Sequence, residues 1–449
     1  MLPERNSRFR HALGTLLAAT AIALTTAPPA QAAPPGLVEQ EITFSSGDLT
    51  LHGTVIAPDT DSPHPAVVMV HGSGRVSRDG YRQEAEAFAR SGIVTLIYDK
   101  RPKRSKSDVD FELLAEDALA ALRALKTRPG VDPARTGLWG VSEGGWVAPI
   151  AAAESADVAF VVTVGAPGTA PERQQSWNLV NRLAAAGVSG SLVDTVSRTT
   201  LGLIVGAGLF PESGYDPAPV LARVTQPVLA LWGDLDRVIP GAESLRVFQE
   251  SLDRGGNGDY TLLSVPGADH TMRLSPDGFQ RGDEISPAYL QQVAAWVNST
   301  GPRTAEVGAP PRQERLSTPV EPGSPAVQVV AVLVLLVAFG GYGLLRRGRR
   351  PGTAAVPARV LATTGLLSVL GLFSYLGYLA STGAKSLGVV VLGRPLPWLA
   401  LQLLAVAVVA ATAVTVVKSR ADFTVRLGLL VTGGVLFVPW AVHWGLLLP

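Results

Sequence analysis

Gly140-Val141-Ser142-Glu143-Gly144 is the stretch of this chain best able to do chemistry. It follows a β-like run at 136–141 and opens a helical run at 142–153. A serine at such a strand-to-helix turn exposes its hydroxyl, and N–H groups of the helix start point where an oxyanion would form. Glycines at both flanks suit a turn where side chains would collide. A serine nucleophile needs a base, and residues 33–325 contain four histidines. His52 lies in a β-like run, His64 in a Pro-flanked loop, and His71 opens His71-Gly72-Ser73-Gly74. His270 closes Pro266-Gly267-Ala268-Asp269-His270, in the loop after the last strand candidate, where this topology puts the base. An acid must then fix the imidazole tautomer. Gly233-Asp234-Leu235-Asp236-Arg237-Val238-Ile239-Pro240 offers two acids, while Asp269 reads as a turn residue. With no cysteine in 449 residues, thiolate nucleophiles and Cys-ligated metal sites are excluded, and six histidines leave little room for a His-rich one.

The elements that must hold these residues alternate. β-like runs at 66–70, 93–99, 136–141, 160–164, 227–232 and 260–265 are interleaved with helical runs at 81–90, 111–127, 142–153, 242–253 and 286–298. That rhythm predicts an α/β sheet. Runs at 39–44 and 50–56 predict an amino-terminal hairpin. Residues 168–223 break the alternation with a mostly helical insertion, a cap between two strands.

The order Ser142, acid, His270 resembles that of the α/β-hydrolase superfamily, and the likeness covers residues 36–299. It implies the α/β-hydrolase fold, a mostly parallel central sheet flanked by helices and topped by a helical cap. The superfamily's acid loop, G-x-x-D-x-x-[VI]-P, implies Asp236 as the acid, with Asp234 nearer the turn. His71-Gly72-Ser73-Gly74 matches its oxyanion loop. The N–H of Ser73 would then pair with that of Glu143, and His71 would hold the loop. Gly72, Gly74, Gly140 and Gly144 complete the two motifs. Arg78-Asp79-Gly80 and Tyr98-Asp99-Lys100-Arg101 resemble a subgroup of bacterial esterases and serine-aminopeptidase-like hydrolases. Where that subgroup continues with glycines, this chain has Pro102-Lys103-Arg104-Ser105-Lys106, a bulky basic rim. The implied activity is carboxylic ester hydrolysis through an acyl–Ser142 intermediate, on a small ester or acyl substrate, with neither metal nor organic cofactor. Peptidase or acyltransferase chemistry would use the same triad. A membrane protein with an inert hydrolase-like domain is the alternative from another class.

Composition adds a second region. Charged residues are 17 % of the chain, against about 25 % in soluble domains, and the mean hydropathy is +0.26. Residues 33–324 carry a net charge of −10, which argues against nucleic acid as partner, whereas 325–449 carry +9. Uncharged apolar stretches at 326–345, 360–380, 398–417 and 427–447 are each about 20 residues long, enough to span ~30 Å of hydrocarbon. Residues 1–32 read as a signal peptide, with Arg5, Arg8 and Arg10 before an apolar run and Ala30-Gln31-Ala32 as the cleavage site. Between 33–299, the catalytic domain, and the spans, the Pro-rich stretch 300–325 reads as a flexible linker. A fragment of residues 33–300 is therefore expected to be soluble and active. Arg346, Arg347, Arg349, Arg350 and Arg359 follow the first span, and Lys418, Arg420 and Arg426 follow the third; Lys385 and Arg394 lie between the second and third. The excess puts the first and third connections in the cytoplasm. The expected protein is a four-span cytoplasmic-membrane protein with its catalytic domain outside and Trp440 and Trp444 at the outer interface; protein partners are left open.

Overall fold

The computed structural model describes residues 36–74, 77–102, 110–301, 303–344, 353–419 and 424–449. The stretch expected as a signal peptide lies outside them. So do 103–106 of the basic rim, Arg420, and Arg346, Arg347, Arg349 and Arg350 of the first connection.

Among the described residues nine strands build one sheet. They are β1 (Leu37–Ser46), β2 (Leu49–Pro58), β3 (His64–Val70), β4 (Val94–Tyr98), β5 (Val131–Val141), β6 (Val161–Val164), β7 (Val228–Gly233), β8 (Tyr260–Val265) and β9 (Glu306–Val307). Their order is β1-β2-β4-β3-β5-β6-β7-β8-β9, antiparallel from β1 to β4 and parallel from β4 to β9. The central strands are continuous apolar runs because helices cover both faces. On one face α1 (Arg82–Arg90) and α9 (Pro287–Asn298) bury Phe88, Tyr289 and Val293 against Met69, Trp139 and Val162. On the other, α2 (Phe111–Lys126), α3 (Gly144–Glu154) and α8 (Gly241–Arg254) bury Leu122, Val147 and Phe248. β4 and β5 flank β3 on opposite sides, so the strand order reverses there. The crevice beyond the carboxyl ends of such strands is where open α/β sheets bind ligands.

The insertion between β6 and β7 forms the cap. It comprises α4 (Pro171–Ala185), α5 (Ser191–Asp194), a π-helical turn Thr195–Thr200, α6 (Leu201–Gly206) and α7 (Ala218–Leu221). The carboxy-terminal region folds as α10 (Pro325–Leu344), α11 (Ala355–Thr382), the ribbon β10 (Val390–Val391) and β11 (Arg394–Pro395), α12 (Leu396–Ser419) and α13 (Val425–His443). All four helices are long and apolar enough to cross a membrane. Val337, Leu370 and Leu403 are exposed on their outer faces, as lipid-facing residues would be.

Cap and bundle share one apolar cluster. Leu183, Leu192 and Val196 of the cap pack with Leu379, Trp440 and Trp444 of the bundle. Hydrogen bonds fasten the joint. Ser189 N–H donates to the Gly393 carbonyl at 2.8 Å, Ser191 N–H to the Pro449 carbonyl at 2.9 Å, and Thr195 Oγ1 to the Trp444 carbonyl at 3.1 Å. Trp440 and Trp444, expected at a lipid interface, are instead buried. Trp444 packs edge-on against Phe373 and donates to Gln328 Oε1 at 3.1 Å.

The stretch expected as a flexible linker is tied down. Arg303 lies over the Trp296 ring, β9 extends the sheet beside β8, and Arg312 meets Asp234 at 3.1 Å. Ser317 gives both its N–H and its hydroxyl to the buried Glu243 carboxylate, each at 2.7 Å, and Arg173 of the cap meets the same carboxylate at 2.7 Å. Gly323 N–H donates to the Gly202 carbonyl at 2.7 Å. Pro-rich composition disfavours long periodic elements here but says nothing of a short paired strand or of fixed side-chain partners. A fragment ending at residue 300 would lose β9 and bare the apolar face of the cap.

Candidate active site

β5 ends at Val141 and α3 begins at Gly144, so Ser142 sits between them, with φ of +54°. A non-glycine residue rarely adopts that conformation, which costs about 1–2 kcal/mol. Ser142 N–H donates to the Val164 carbonyl at 2.8 Å, which helps hold the turn. The glycines are required by close approach. A Cβ on Gly140 would lie 2.0 Å from the Gly144 carbonyl oxygen, and one on Gly144 would lie 2.5 Å from that of Val70.

His270 Nδ1 lies 2.8 Å from Asp236 Oδ2. The other oxygen of that carboxylate accepts from the N–H groups of Val238 at 2.8 Å and Ile239 at 2.9 Å, so the tight turn after β7 locks its orientation. Burial alone would disfavour the imidazolium, but the charge and hydrogen bond of Asp236, with Asp269 adding to them, outweigh it. The His270 pKa therefore lies above its usual 6.5. Asp269 accepts from the N–H groups of Thr271 and Arg273 and is the turn residue expected. Asp234 faces Arg312 instead of an imidazole. His52 is exposed on β2, and His64 is held between the Thr60 hydroxyl at 2.6 Å and the Gly92 carbonyl at 3.1 Å.

The loop after β3 meets the elbow. His71 is buried, donates from Nε2 to the Tyr98 carbonyl, and packs edge-on against Tyr81 and Tyr98. Gly72 N–H donates to the Tyr81 hydroxyl at 3.0 Å, and Gly74 turns the chain with φ of +74°. Ser73, Ser142, Glu143 and His270 line one cavity of about 470 Å³. Among the described residues, no three His, Cys, Asp or Glu side chains form a metal-binding group.

Two features beside the site were not legible in the sequence. Lys100 forms a buried ion pair with Glu143, and its Nζ also donates to the Gly72 carbonyl at 3.3 Å. One ammonium thus joins the residue after Ser142 to the loop after β3. The charged residue inside the elbow and the lysine of Tyr98-Asp99-Lys100-Arg101 were both visible; their pairing was not. Gly165, just past β6, has φ of +55° and faces His270.

Residues 8–170 match the family model of FrsA-like esterases, a stretch that includes His71 and Ser142. Esterase EstD of Thermotoga maritima is 25 % identical over 296 residues, spanning 59 % of this chain and 69 % of that one. The sheet order and its flanking helices are those of an α/β-hydrolase fold. The chain is also similar to the thiohydrolase aneE of Aspergillus aculeatus, at 34 % identity over 130 residues. That match spans 28 % of this chain and only 40 % of the thiohydrolase. Dienelactone hydrolase from Anabaena variabilis superposes with a TM-score of 0.37 at 21 % identity, covering 58 % of this chain and 95 % of that one. In this chain a domain similar to esterases precedes four apolar helices.

Proposed function

We propose that the protein is a membrane-anchored serine esterase. The observation that carries the reading is the cavity in which Ser142, strained at its elbow, and His270, paired to Asp236, both take part. Ser142 Oγ attacks the ester carbonyl while His270 Nε2, the ring nitrogen not engaged by Asp236, takes the hydroxyl proton and later returns one to the alcohol. Asp236 holds the tautomer and stabilises the imidazolium. Backbone N–H groups of Ser73 and Glu143 receive the oxyanion. Water then cleaves the acyl–Ser142 ester. The likeness to a thiohydrolase supports acyl thioesters as a second leaving-group class. A fluorophosphonate probe and p-nitrophenyl acetate test the assignment on the full chain in detergent. Wild type should be labelled and active, and Ser142→Ala neither. Substantial ester turnover by Ser142→Ala would remove the assignment.

The apolar helices serve as four membrane spans in this reading, with the catalytic domain outside the cytoplasm. Support comes from contacts and charge together. The cap touches Gly393, Trp444 and Pro449, all at one end of the bundle, while the basic connections belong to the other. The positive-inside bias assigns that other end to the cytoplasm. Alkaline phosphatase fused after Lys385 should be active and after Arg350 silent; the reverse pattern would invert the orientation.

A further inference from the structure

We infer that the substrate of this site is an ester carrying a long alkyl acyl chain, and that the chain lies in an apolar pocket walled by the cap on one side and by α11 on the other. The inference rests on the esterase reading and specifies its substrate class. The cavity that holds Ser142 and His270 runs past Gln175 and Phe210 to Gly383, just beyond the end of α11. A second cavity, about 210 Å³, is lined by the same three residues, so the two adjoin. Val196, Leu201 and Ile204 of the cap form one wall of this second cavity, and Leu376, Leu379 and Ala380 of α11 form the other. None of its lining residues is charged. The first cavity, by contrast, is lined by Glu84, Glu143, Glu212, Arg182 and Arg281, and Arg182 donates to the Gly383 carbonyl where the two cavities meet. A polar chamber that opens into a narrow apolar pocket matches an ester group followed by an alkyl chain.

Location supports the same occupant. One wall of the pocket is the end of a helix apolar enough to cross a membrane, so the pocket begins where hydrocarbon would begin. The cap segment 201–210 contains no charged or polar side chain, and Leu209 within it is 72 % exposed. An apolar lip beside the end of an apolar bundle is suited to the boundary between headgroups and acyl chains. Once the chain is seated, the Ser142 Oγ–carbonyl bond forms and the ester C–O bond breaks. The serine proton passes through His270 to the departing alcohol, and water releases the fatty acid.

The test uses the full chain in detergent and p-nitrophenyl esters from acetate to decanoate. Each buried methylene should raise kcat/KM about fourfold until the pocket is full. Ile204→Trp and Ala380→Phe, which fill the pocket from opposite walls, should each lower the decanoate-to-acetate ratio of kcat/KM at least tenfold. A flat chain-length profile, or an unchanged ratio in both variants, overturns the acyl pocket and leaves the esterase reading standing. No hydrolysis at any length, with no fluorophosphonate labelling, overturns the esterase reading itself. Reconstitution into vesicles distinguishes the source of the chain. Turnover of a didecanoyl phospholipid in the same bilayer assigns it to membrane lipid, and turnover of the free decanoyl ester alone assigns it to a dissolved amphiphile; either outcome supports the pocket.

Discussion

A Cβ on Gly165 would lie 2.8 Å from His270 Nδ1, the nitrogen that meets Asp236. The bend after β6 is therefore part of what aims the imidazole. Gly165→Ala would push the ring off its partner and impose a left-handed backbone on alanine. Its kcat should fall about 10²-fold, as expected for a shift of roughly 1 Å at a reacting group. Steady-state kinetics with p-nitrophenyl acetate would show this, and unaltered kcat would mean that His270 is not positioned from this side.

Asp236 and Asp234 stand two residues apart and face different partners. Asp236→Asn should cost about 10³- to 10⁴-fold in kcat, because the amide no longer fixes the tautomer. Asp234→Asn loses an ion pair to Arg312, whose side chain is mostly exposed, and should stay within a fewfold of wild type. Equal losses in the two variants would contradict the assigned roles.

The acid limb of the pH profile follows from the same pair. In the proposed mechanism His270 acts as a base only when neutral, and against the opposing effect of burial Asp236 holds its pKa above 6.5. The rise in kcat/KM with pH should therefore have its midpoint above 6.5 in wild type. Residual activity of Asp236→Asn should titrate at lower pH, because burial then acts without the opposing charge. The stability contributed by the imidazolium–carboxylate pair is fully present below the unfolded value near 6.5 and is lost as pH rises through the folded value. A pH profile in Asp236→Asn identical to wild type would show that another group governs the limb.

Lys100→Met would strand the Glu143 carboxylate in the interior, where Lys100 and Glu143 are 8 % and 5 % exposed. Breaking such a pair costs about 3–5 kcal/mol. The double variant Lys100→Met/Glu143→Leu should recover most of that, since no unpaired charge remains. Thermal melts of the full chain in detergent would resolve the difference, and a single variant as stable as wild type would show the pair to be dispensable.

Residues 33–300 alone should aggregate or lose most of their activity, contrary to what linker composition suggests. The fragment exposes Leu183 and Leu192, which are fully buried in the intact chain, and leaves Glu243 without Ser317. Size-exclusion chromatography with p-nitrophenyl acetate turnover would decide. A monodisperse, fully active fragment would mean that the cap folds without the bundle.

Local patterns carried the core of the fold. Val67, Val68 and Met69 announce a doubly covered strand, and the glycines around Ser142 announce the elbow because their collisions are with near neighbours. The β8 range matches its expected bounds, whereas β5 starts at Val131, five residues early, through an irregular register beside His64. Loop order left Asp234 and Asp236 both open, and the resemblance of the acid loop implied Asp236, the one that meets His270. What escaped depends on partners distant in sequence: Lys100 with Glu143, Gly165 with His270, and Ser317 with Glu243. Composition recorded each of these residues but not what it faces, so the stretch 303–323 passed for a loose tether.

The cap is synthesised long before the helices it rests on. Ser191 Oγ meets the Leu448 carbonyl 257 residues later, and Thr195 meets Trp444 across 249 residues. Until the bundle and the residues after α13 are in place, the apolar underside of α5 and the turn after it lacks its covering. Contacts of such separation are slow to form, so the cap settles only after the chain has reached its last residues. Assembly of the cap is thereby coupled to completion of the helical bundle at the far end of the sequence.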